Sequence, residues 1–215
     1  FVLGRLGEGD APGASAATEP IDRDLLAALA SLVDEATASL DRFDYARALE
    51  RTESFFWRFC DDYLELVKTR AYGGEDPEAT RSARAALHVA LDVVLRLLAP
   101  FLPFASEEAW RWSHRASVHA ASWPTGAEVS GESIEGADGV LEAASDVLGA
   151  IRRQKSAAKL SMRADVASVT VRNTPAYLAA VDAARVDLID AGRIGRLVLE
   201  EGDPDVVVEL SAAQP

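Results

Sequence analysis

Between Phe43 and Tyr72 the positions 45, 49, 52, 56, 59, 60, 63 and 67 fall at steps of three and four, the spacing of one helical face. Asp44 stands where a carboxylate accepts from the first free backbone N–H groups, and Phe43 where a hydrophobic staple begins. Gly73-Gly74 supplies the left-handed stop. At about 1.5 Å per residue the predicted helix is roughly 40 Å long, so two or three partner helices are needed to cover it.

The same periodicity supplies those partners. One helix starts near Asp22 or Asp24 and carries Leu25, Leu29, Leu32, Val33, Ala36 and Leu40 inward; its short link to the next predicts an antiparallel pair. Another follows Pro77, burying Ala83, Leu87, Ala90, Leu91, Val94, Leu95 and Leu98, and stops at Pro100. A short helix over Phe104–Trp112 turns Trp110 inward. Residues 113–138 read as loop, and a further helix spans Val140–Lys159. Beyond it the period changes to two. Val166–Val171, Leu197–Leu199 and Val206–Leu210 read as strands, with a short helix over Pro175–Ala184. The fold class is thus mainly α, a helical bundle with a small C-terminal α/β appendage. Residues 1–20 are expected to hold the end of an apolar segment and a mobile linker, 21–160 the bundle, and 161–215 the appendage.

Composition narrows this picture. With 215 residues and 49% hydrophobic content the chain is long enough for a substantial core, and it has no apolar run of membrane-spanning length. It opens on Phe1 without a signal-peptide layout, which predicts a piece of a longer, intracellular and cytoplasmic protein with no membrane partner. Cys60 is the only cysteine and reads as a small core residue, so disulfides and Cys-ligated zinc are excluded. Net charge is −13, against a general phosphate-binding surface, yet residues 151–163 alone carry +5. Nucleic acid would meet this chain only at local patches.

Catalytic patterns are missing from the sequence. His88, His114 and His119 lack the Glu-x-x-His spacing of a bundle metal site, and there is no Gly-x-Ser-x-Gly elbow or Gly-rich phosphate loop. No catalytic residues, metal or cofactor are therefore expected in this piece. Three features suit RNA. Trp57 lies off the apolar face. Lys68, Arg70 and Tyr72 close the long helix with cations beside a ring, the combination that holds an unstacked base. Arg152, Lys155 and Lys159 share one helical face within the basic stretch. A protein-binding acidic face is the alternative.

Taken together these segments resemble the anticodon-binding domain of class I aminoacyl-tRNA synthetases of the valine, isoleucine and leucine group. The resemblance rests on Phe1-Val2-Leu3, on Phe43–Leu49 with Phe56–Lys68, on Leu97–Phe104 with Glu107-Glu108-Ala109-Trp110, and on Ser117–Pro124. The second of these is most similar to the valine enzymes; an isoleucine enzyme or a synthetase paralogue is the alternative. The resemblance implies that the catalytic core of the parent chain precedes Phe1, and that this parent joins valine to its tRNA using ATP and Mg. It also implies Phe1 as a stacking ring, with Lys68, Arg70 and Tyr72 as anticodon-loop contacts. Lys159-Leu160-Ser161-Met162 looks like a nucleotide-binding signature but follows a helix outside any nucleotide-binding fold.

Overall fold

A computed structural model describes residues 2–5, 13–73, 76–130 and 139–211. Helix α1 (Pro20–Asp41) starts with proline at its first turn, where the missing N–H costs nothing. It ends in a pair of backbone hydrogen bonds: Phe43 N–H donates to the Leu40 carbonyl and Asp44 N–H to that of Ser39. Phe43 therefore takes the left-handed position (φ 60) and its ring swings outward, 76% exposed. The predicted staple is corrected: this residue closes α1, and its exposed ring lies edge-on to the exposed Tyr45 ring at the start of α2 instead of being buried against that helix.

Asp44 does cap α2 (Tyr45–Arg58), its carboxylate accepting from Arg47 N–H at 3.2 Å. The predicted long helix is present but interrupted. A wider π-helical turn, Phe59–Tyr63, joins α2 to α3 (Leu64–Gly73), and Gly73 at φ 108 ends it. The buried side chains are Ala48, Thr52, Phe55, Phe59, Tyr63, Leu66, Val67, Arg70 and Ala71. Tyr45 is exposed and Leu49, Phe56 and Cys60 are half-buried, so the inward face is displaced by about one residue along α2 from the predicted one.

Asp76 caps α4 (Pro77–Leu98) with one carboxylate oxygen accepting from the Glu78 and Ala79 amides. Helix α5 (Pro103–Arg111) buries Trp110, whose indole N–H donates to the Ala116 carbonyl at 2.9 Å. Glu107 accepts from the Ser117 hydroxyl and the Val118 amide, tying two of the sequence segments singled out above. Residues 113–130 are more ordered than a loop: α6 (Gly126–Ser130) packs on α1 with Val129 fully buried, and the Trp123 indole donates to Thr37. The expected mobile linker is also corrected over 13–19, where Ala17 is buried and Ser82 Oγ accepts from the Thr18 and Glu19 amides.

Helix α7 (Val140–Ala157) leads to the appendage: β1 (Val166–Asn173), α8 (Pro175–Ala183), α9 (Arg185–Gly192), β2 (Leu197–Glu201) and β3 (Asp205–Leu210). Strand order is β2-β1-β3, with β2 parallel to β1 (Val169 opposite Leu197) and β3 antiparallel to it (Thr170 opposite Val207). A parallel pair needs a crossover, which α8 and α9 provide. Helix α9 was not foreseen from the sequence. One continuous core runs from Leu25 and Leu29 through Leu87 and Ile151 to Val169 and Leu188, so bundle and appendage share an interior.

Candidate nucleic-acid interface

The outer face of α3 carries Glu65, Lys68 and Tyr72 at offsets of three and seven. Lys68 Nζ donates to Glu65 at 3.0 Å with both side chains about half exposed, and the Tyr72 ring is 53% exposed. An exposed pair of this kind is worth about 0–1 kcal/mol, so Lys68 can exchange Glu65 for a phosphate at little cost. Trp57 is equally exposed and rests edge-on against Phe56. It stands roughly 20 Å from Tyr72 along the helix axis, so the two rings do not form one platform. Phe1 lies outside the described residues.

Arg70 is a different case. It sits on the inner face of α3, 9% exposed, and all five of its N–H groups are committed. Nε and Nη2 donate to the two oxygens of Asp187 (2.8 and 2.9 Å), Nη1 and Nη2 to those of Asp22 (2.9 and 3.0 Å), and Nη1 also to the Ala79 carbonyl. Asp22 is completed by the Tyr63 hydroxyl at 2.7 Å and the Ser82 hydroxyl at 2.6 Å. Burial works against the guanidinium's charge, but the bonds to Asp22 and Asp187 outweigh it and its pKa is raised. Burial likewise holds the Tyr63 phenol well above its usual range. The cluster joins α1, α3, α4 and α9. The nomination of Arg70 as an RNA contact is corrected: it is an internal clamp with no donor to spare.

The end of α7 divides the same way. Lys155 is 2% exposed, its ammonium donating to the Met162 carbonyl (3.1 Å) and the Gly192 carbonyl (3.0 Å). Burial and the nearby Arg193 lower its pKa. Its nomination is corrected as well, because this helical face turns onto α9. Arg152 reaches back to the π turn, donating to Asp62 and to the Asp61 carbonyl, and is half-buried. Lys159, just past the helix end, is exposed. Sequence reasoning gave Asp22 only as a possible helix start and passed over Ser82 and Asp187. Asp22 had a signal, since it precedes Leu25 and Leu26 by three and four residues on the apolar stripe.

Among the described residues no three His, Cys, Asp or Glu side chains gather as a metal ion needs, and no helix is long and apolar enough to cross a membrane. The structure is that of a mainly α helical bundle, with the Tyr72 ring and the Lys68 ammonium exposed on α3 and Lys159 exposed past the end of α7. A sequence profile described as the anticodon-binding domain of tRNA ligase matches residues 22–171, and the chain belongs to that family. It is 50% identical over its whole length to the valine–tRNA ligase of Thermobifida fusca, 24% of which is covered. It is 49% identical over 94% of its length to that of Salinispora tropica, with 25% covered, and 46% identical over its whole length to that of Leifsonia xyli, with 24% covered. The chain spans about a quarter of the length of these relatives.

Proposed function

We propose that this chain is the part of a valine–tRNA ligase that holds the anticodon stem-loop of a valine-accepting tRNA. Its longer parent would join valine to that tRNA in the cytoplasm, with ATP and Mg bound by a catalytic core outside this chain. The observation that carries the reading is an exposed ring one turn beyond an exposed cation, Tyr72 after Lys68, in a chain that belongs to the anticodon-binding family. A ring takes an unstacked base of any identity, and the cation takes the phosphate beside it. The chain's net −13 disfavours RNA on its acidic surfaces and confines it to local basic patches. Trp57 and Phe1 remain further candidate rings.

The test is a fluorescence titration of the 215-residue chain with a valine anticodon stem-loop. Tyr72→Ala is expected to bind about tenfold more weakly, within the ~1–3 kcal/mol that base–ring stacking supplies. Equal affinity of the variant and the parent chain would remove Tyr72 from the site.

A further inference from the structure

Helical spacing puts Arg152, Lys155 and Lys159 on one face of the basic stretch at the end of α7, but the fold divides them between interior and solvent. Arg152 and Lys155 turn inward, while Lys159 and Arg163 stay exposed. The chain then brings a second basic loop alongside. Val166 pairs with Ile194, Val166 N–H donates to the Arg193 carbonyl at 2.9 Å, and Gly195 N–H donates to the Val166 carbonyl at 2.8 Å. The Lys155 ammonium grips the carbonyls of Met162 and Gly192, the residues just before Arg163 and Arg193. A single buried cation thus fixes the roots of two exposed ones, and Arg196 follows on the same exposed loop.

Backbone conformation adds a second observation. Lys159 and Arg193 follow α7 and α9 at φ 54 and 56, left-handed positions where glycine carries no Cβ penalty. A cation there offsets the negative end of the helix, yet a glycine would close the turn with less strain. Arg193 meets Asp165 at 2.7 Å in a pair exposed on both sides. Lys159, Arg163 and Arg196 make no ion pair with a described residue. The edge also adjoins the site on α3, because Glu65 lines one groove with Lys155, Met162 and Ala191 and shares its helical face with Lys68 and Tyr72.

We infer that Lys159, Arg163, Arg193 and Arg196 form a second RNA contact, one that grips backbone phosphates while the ring on α3 meets the bases. The edge has cations and no aromatic ring, which suits phosphate and carries no sequence preference. This rests on the RNA-binding reading above and adds to it a second surface, built by the appendage.

The experiment compares the chain with the triple variant Lys159→Gly, Arg163→Ser, Arg196→Ser and with Tyr72→Ala. Each is titrated with the anticodon stem-loop and with an unrelated RNA hairpin over a range of salt. The triple variant should bind both RNAs about tenfold more weakly at low salt. Its slope of log affinity against log salt should be shallower by about 0.7–0.9 for each phosphate contact removed. Lys159→Gly alone should melt at the same temperature as the parent chain or higher, since it relieves a left-handed lysine. An unchanged slope in the triple variant overturns the second contact, and if Tyr72→Ala still weakens binding the anticodon reading stands. Loss of slope in the triple variant, with no preference for the anticodon RNA in the parent chain, leaves the basic edge and removes the anticodon reading. No binding to either RNA overturns both.

Discussion

The interior of the bundle and the seam between α3 and α9 are held in different ways. Inside the bundle Leu25 and Leu29 of α1, Leu87 and Ala90 of α4 and Leu148 of α7 belong to one core, all apolar and all buried. Such contacts depend on area and volume, and many combinations of side chains satisfy them. At the seam one guanidinium is shared by two carboxylates from different helices, and each N–H has a single acceptor in reach. Replacing a buried ion cluster by well-packed hydrophobic residues is often neutral or stabilising, so the seam is a poor stability device. What it supplies is placement: α9 can slide on an oily surface but not on the two directed bonds that Asp187 accepts from Arg70.

The strongest way to break this contrast is Arg70→Ala, set beside Leu87→Ala. Removing the guanidinium leaves Asp22 and Asp187 facing each other in the interior, and should cost about 3–5 kcal/mol in chemical denaturation. Leu87→Ala should cost a similar 2–5 kcal/mol through the cavity it leaves. Hydrogen exchange separates the two. Arg70→Ala should strip protection first from α9 and the sheet, whereas Leu87→Ala should lower it across α1, α4 and α7. Uniform loss of protection in Arg70→Ala would mean that the seam has no separate role in placing the appendage.

The sequence carried the architecture because helix period, caps and proline positions act locally. Asp44 caps as its position predicts, α4 starts at the predicted proline, and the strands around Val169 and Val207 alternate as strands do. It did not carry the direction of individual cations. Lys68 and Arg70 are two residues apart and chemically alike, yet a rotation of about 200° separates them on a helix of 3.6 residues per turn. Which of them meets water depends on where the π turn sets the phase, and on whether an acid waits inside. The acid that decides it, Asp187, comes from a helix 117 residues later in the chain. Helix α9 was itself hard to read, because Val186, Leu188 and Ile189 fit neither a clean helical nor a strand period and Val186 is exposed.

A smaller effect sharpens the same comparison. Tyr63→Phe removes only the hydroxyl that donates to Asp22 Oδ1, an oxygen still held by Arg70 at 3.0 Å. The carboxylate is not orphaned, so the loss should be about 0.5–1.5 kcal/mol, the net worth of one hydrogen bond. A loss as large as that of Arg70→Ala in thermal or urea unfolding would show that the cluster fails as a unit once any member goes. That outcome would tie the seam to the core through Tyr63, whose ring stacks on Phe59.

The smallest effect should appear on the acid side. Two carboxylates share one guanidinium, and burial raises the pKa of Asp187 above its ordinary 3.8 even though Arg70 beside it pulls the other way. A carboxyl with a raised pKa binds its proton more tightly in the folded chain than in the unfolded one. Its contribution to stability is therefore complete below pH 3.8 and is lost as pH rises through the folded value. Asp187→Asn removes that titration while keeping the shape of the side chain. Unfolding free energies of the two proteins, measured from pH 7 down to pH 4, should diverge in favour of the aspartate as the solution becomes more acidic. A difference that instead closes toward low pH would mean that Arg70 dominates the carboxyl. The seam would then hold α9 by net attraction, and the reading of it as a device for placement alone would have to be given up.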